Sequence, residues 1–127
     1  MNKPYNVFLG ETNIGTTLLE KADAPIGVVF GNITFIGIAS PYTFFKDYCI
    51  QHHLRFTEYP EMHFIATFDI PDLIVVNDEG VAIKGISTEI SGEAKEGFKI
   101  YLLGVPYPLY GEEFPHHVEN YDKQFKT

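Results

Sequence analysis

Five histidines in a chain of 127 residues are the natural first place to look for metal or acid–base chemistry. They fall as His52-His53 at the end of a helical stretch, His63 at the start of a strand, and His116-His117 at the start of a last helix. A metal needs side chains that converge, and neighbours on a helix point about 100° apart, so neither pair chelates by itself. A site built from His52, His63 and His116 with Asp69 or Glu119 requires the tertiary fold to gather them. Helix-end and surface placement account for the two pairs without a metal, because a helix C-terminus favours partial positive charge. No metal and no cofactor are therefore expected.

Cys49, the single cysteine, sits between Tyr48 and Ile50 on an apolar stripe. An activated thiolate needs an electropositive, partly open setting, so a buried structural thiol is expected instead. The paired carboxylates Asp78-Glu79 and Glu112-Glu113 are chain neighbours and cannot face each other across a cleft as an acid–base pair must. Asp69 and Asp72 lack the surrounding loop of a calcium site. Phosphate-cradling glycine loops, a nucleophile elbow, C-x-x-C and H-E-x-x-H are all missing. The catalytic set is read as none, which weighs against an enzyme.

Charge is the remaining signal. The chain holds 17 Asp and Glu against 9 Lys and Arg, a net −8. From Phe56 to Ile83 there is no Lys or Arg, while Glu58, Glu61, Asp69, Asp72, Asp78 and Glu79 all fall in that stretch. Most of them occupy expected turns and are expected to gather at one end of the sheet. Tyr59, Tyr107 and Tyr110 would lie beside them as anchoring rings. A single-sign patch of this kind steers a basic protein partner. It repels nucleic-acid backbones and anionic membranes, and Arg55 is the only arginine available to fork onto phosphate.

The elements that must position these residues are short. Gly and Pro recur often enough to favour strands over long helices. Strands are predicted at Tyr5–Leu9, Thr16–Leu19, Val28–Phe30, Ile33–Ile38, His63–Phe68, Leu73–Val76, Val81–Ile90 and Phe98–Val105. Gly31-Asn32 reads as a hairpin turn, with one bulged strand as the competing reading. Asn77-Asp78-Glu79-Gly80 is a strong turn, Gly85 a bulge between two parities, and Ser91 to Gly97 a polar loop. Ser40-Pro41 caps a helix running to about Leu54, with Phe45, Tyr48, Cys49 and His52 on one face. Phe114, Val118, Tyr121 and Phe125 form an amphipathic stripe for a short C-terminal helix from about Pro115.

These elements imply one α+β domain over residues 1–127. Its mostly antiparallel sheet has roughly six or seven strands, with one central helix and a short C-terminal helix. Aromatic content of 15% supplies a core without disulfides. A lone cysteine, a short N-terminal apolar run and the lack of any ~20-residue apolar span point to the cytoplasm. The functional expectation is an acidic protein-binding module that occludes a basic partner, as an immunity or antitoxin-like inhibitor of a nuclease toxin would. The alternatives are a small-ligand or metal-dependent enzyme with a His and Asp/Glu site, and a structural subunit of a phage or secretion assembly.

Overall fold

Alternation of buried and outward residues builds most of the strands. The computed structural model describes residues 3–125, without the side chain of Phe125. Phe125's expected place on the apolar stripe, and Met1-Asn2, therefore lie outside the described residues. The strands are Tyr5–Leu9 (β1), Thr12–Thr17 (β2), Lys21–Asp23 (β3), Val28–Phe35 (β4), Phe56–Tyr59 (β5), Phe64–Thr67 (β6), Leu73–Val76 (β7), Ala82–Ile83 (β8), Ser87–Glu93 (β9) and Gly97–Leu103 (β10). The helices are Pro41–Gln51 (α1), Leu109–Glu113 (α2) and Pro115–Phe125 (α3).

The ten strands form one sheet in the order β5-β6-β9-β10-β4-β2-β1-β7-β8, with β3 beside β4. Every pairing is antiparallel. The α+β class holds; the described residues form ten strands, and α2 is an additional helix. β3 and β5 were missing from the expected set, Val81–Ile90 divides into β8 and β9, and Val28–Phe30 joins Ile33–Ile38 in β4.

β7 and β9, from the two halves of the sheet, lie against each other. On its way from β6 to β7 the chain passes β9, where the Ile70 N–H donates to the Thr88 carbonyl at 3.1 Å. Val7, Ile14, Val75 and Ile83 from one half and Ile65, Ile90, Ile100 and Leu102 from the other bury into a single core with Phe45 and Cys49 of α1. In β10 the alternation is plain: Phe98, Ile100 and Leu102 face the core, while Lys99 and Tyr101 face outward.

β4 corrects the expected hairpin. It runs straight through Gly31-Asn32, pairing with β10 along its first half and with β2 along its second. Gly31 is needed for close approach rather than for a turn. A Cβ there would lie 2.9 Å from the Leu19 nitrogen and 2.2 Å from a Glu20 carboxylate oxygen. Leu19, fully buried with φ +46, makes the kink that lets β2 and β3 share one edge of β4. Two further boundaries move. The sheet breaks at 84–86 between β8 and β9, with Gly85 against the Leu103 carbonyl. The expected polar loop shrinks to 94–96, because β9 continues through Glu93 and Gly97 opens β10.

α1 starts where expected. The Ser40 hydroxyl accepts from the Thr43 N–H at 3.4 Å, and Pro41 occupies the first turn. Ser40→Ala is expected to lower the unfolding free energy by about 1 kcal/mol, read from the urea midpoint at unchanged slope. The helix ends at Gln51, three residues short of the expected Leu54, as His53 turns into the left-handed region at φ +57. No helix among the described residues is long and apolar enough to cross a membrane.

Candidate functional site

The turns of the acidic stretch are divided between strand ends. Successive turns of an antiparallel chain fall at opposite ends of the strands that join them. Glu61 precedes β6 and Asp69 follows it; Asp72 precedes β7 and Asp78-Glu79 follow it. Several of these groups also have internal duties. Glu58 accepts from the Tyr42 hydroxyl and pairs with Lys46 at 3.1 Å. The Tyr42 bond foremost, then Lys46, holds its carboxyl below the usual range. Asp69 accepts the Thr88 N–H at 3.1 Å, and Asp72 lies 3.5 Å from the Tyr48 hydroxyl.

The predicted tyrosines separate. Tyr110 is fully buried and donates its hydroxyl to the Val28 carbonyl at 2.8 Å, so it is a core residue and offers no contact area. Tyr107 stays half exposed, but its hydroxyl is tied to the Ala24 carbonyl at 3.0 Å, at the end of the sheet that also exposes Ile26 and Ile86. Tyr59 alone of the three joins the groove described below.

The histidines do not converge. Among the described residues no three His, Cys, Asp or Glu side chains are placed to hold a metal. His52 stacks on Tyr48 and His63 on Tyr42, both on the α1 side. His117, expected at the surface, is buried, with Nε2 2.8 Å from the Leu19 carbonyl. A carbonyl only accepts, so Nε2 donates and pins α3 to the kink at Leu19. Cys49 is fully buried, and burial pushes its thiol up, as a structural cysteine requires.

One carboxylate of the Glu112-Glu113 pair turns inward. Glu113 accepts from Lys3 at 2.7 Å, the Tyr5 hydroxyl at 2.8 Å and the Asn77 amide at 3.2 Å, tying α2 to β1 and to the β7–β8 turn. Burial pushes this carboxyl up, but the hydrogen bonds from Lys3, Tyr5 and Asn77 outweigh it and hold the group below its ordinary value of 4.5. A carboxyl lowered by folding contributes stability above its unfolded value, and that contribution is lost as pH falls through the folded value. The urea midpoint is expected to drop on acidification below about pH 4.5. In Glu113→Gln this acid-side drop should be shallower than in the parent.

The outer face of the sheet carries an apolar groove. Its volume is about 520 Å³, and it is lined by Tyr59, Met62, Phe64, Glu93, Gly97 and Tyr101, among others. Register explains its shape. Tyr59, Phe64, Glu93 and Gly97 stand side by side in one row across β5, β6, β9 and β10. A second row places Ala66 of β6, Ser91 and Lys99 together. In a third, Glu89 neighbours Tyr101, which stacks on Phe30 with ring centroids 4.9 Å apart. Ala66, Ser91 and Lys99 therefore lie between rings at both ends of a channel. Those ends are four residues apart along β10, about 13 Å.

Charge within this channel is mostly negative. Glu89, Glu93 and Glu96 meet one lysine, Lys99, with Lys95 on the adjoining turn. Glu89 accepts from the Ser87 hydroxyl at 2.8 Å. Glu93 and Glu96 have no ion pair or side-chain hydrogen bond among the described residues. Phe64, Tyr101, Glu93 and Glu96 were not among the expected site residues. The period-two pattern of 97–103 was the signal that could have turned Tyr101 outward.

No family model, curated protein or solved structure matches this chain.

Proposed function

We propose that this domain is an acidic protein-binding module that covers a basic surface of a protein partner, as an immunity or antitoxin-like inhibitor does. The observation that supports this reading is the outer groove, where Tyr59, Phe64 and Tyr101 flank Glu93 and Glu96, neither of which has an ion pair or side-chain hydrogen bond among the described residues. Interfaces combine such features: aromatic anchors fill the centre, and charges steer the encounter. The net −8 of the whole chain adds a long-range attraction for a basic partner. Relative to the acid stretch at 56–83, the contact surface shifts toward β9 and β10, keeping Tyr59 and the neighbouring Glu61 at its border.

The test is affinity capture with the intact domain as bait, comparing the parent with Glu93→Lys combined with Glu96→Lys. The parent should retain a basic protein that is released as salt rises, and the charge-reversed variant should retain much less of it. Equal retention by both, or retention unaffected by salt, would contradict the reading.

A further inference from the structure

We propose that the acidic end of the groove is an anchor pocket for an arginine side chain of the protein partner, an inference that rests on the protein-binding reading above. It starts from a missing side chain. In the row Tyr59, Phe64, Glu93, Gly97, the fourth position has no Cβ, and a Cβ built there would meet nothing within 4 Å. Gly97 has φ +88, a conformation that favours glycine, so the gap is fixed by the backbone of the β9–β10 turn. The result is an open notch beside Glu93, with Glu96 on the turn immediately before it.

The walls of the notch suit a planar cation. Phe64 stands next to Glu93 across the strand pair, and such cross-strand neighbours have Cβ atoms about 5 Å apart. Tyr59 tilts against Phe64 with centroids 5.5 Å apart, extending the ring surface to the edge strand β5. Met62 completes the apolar side. A guanidinium can lie over these rings while its N–H groups reach the two free carboxylates, an arrangement that uses stacking and forked hydrogen bonding together. An ammonium uses the charge but not the plane, so arginine is favoured over lysine. Lys99 stands one row along β10 and opposes any cation in the notch, which sets the sign of a further effect.

The experiment is an NMR titration of the full domain with N-acetyl-arginine amide, following backbone amides. The neutral, equally planar N-acetyl-citrulline amide and N-acetyl-lysine amide serve as comparators. Arginine should shift the amides around Phe64, Glu93 and Gly97, with citrulline about tenfold weaker and lysine between them. Glu93→Gln with Glu96→Gln should weaken arginine about tenfold, and Lys99→Ala should tighten it. Unchanged dispersion of the remaining amides shows that these surface variants fold. Citrulline binding as well as arginine, shifts confined to other surfaces, or indifference to the glutamine pair would each overturn the anchor. Groove-dependent capture of a basic protein without any arginine response overturns the anchor alone. An arginine response in a domain that captures no protein supports the notch and removes the wider protein-binding reading.

Discussion

Replacing Tyr59 and Phe64 together by threonine is expected to weaken partner binding by at least about thirtyfold, measured by calorimetry or surface binding on the captured partner. Central aromatic anchors commonly contribute 2 kcal/mol or more on truncation, in the order-of-magnitude sense that alanine scans allow. Tyr59 is half exposed and Phe64 lies outside the packed core, so neither holds the fold together. Threonine keeps the β-branched character that an outward strand position prefers. The urea midpoint should therefore move little, with a cost no greater than about 1–2 kcal/mol. A variant that binds as tightly as the parent would show that the rings are not anchors. A variant that unfolds would be replaced by Tyr59→Thr alone, which alters only the exposed edge strand.

The largest stability effect is expected where α2 and α3 meet β1. Phe114→Ala should lower the unfolding free energy by about 3–5 kcal/mol. Phe114 is fully buried, and its ring lies 5.2 Å from that of Tyr110 and 6.0 Å from those of Tyr5 and His117. It joins α2 and α3 to β1 at the point where Glu113 collects Lys3, Tyr5 and Asn77. Truncation removes the ring and leaves a cavity lined by groups already fixed by hydrogen bonds, so collapse around it is limited. Phe114 does not line the groove, so the change should leave partner affinity intact wherever the variant remains folded. A loss below 1 kcal/mol by urea denaturation would mean that this end of the chain is not part of the cooperative core.

Local chemistry was legible wherever the signal lay within a few residues. Ser40-Pro41 announces α1, Asn77 to Gly80 announces a turn, and the buried face of 98–102 follows from period two. β1, β7 and α3 have the expected bounds. What escaped depends on contacts distant in sequence. Gly31 looks like a turn residue until Leu19, twelve positions away, is seen to press against it. Tyr110 looks like an interface residue until the Val28 carbonyl claims its hydroxyl.

The site was the harder case. Its row of Tyr59, Phe64, Glu93 and Gly97 exists because β6, paired with β5 on one edge, pairs on the other with β9 rather than with β7, and no spacing rule encodes that choice. The acidic stretch misled for a related reason: its turns alternate between strand ends, so closeness along the chain did not become closeness in space. Only the edge position of Tyr59 was shared between the expected surface and the observed groove.

The most direct measurement maps the amides of the intact domain that shift when the salt-sensitive basic partner is added. Perturbation should centre on Phe64, Ser91, Glu93, Gly97 and Tyr101. A footprint around Ile26, Ile86 and Tyr107 at the sheet end, or in the polar cleft beside Asp23, His117 and Asn120, would contradict the account.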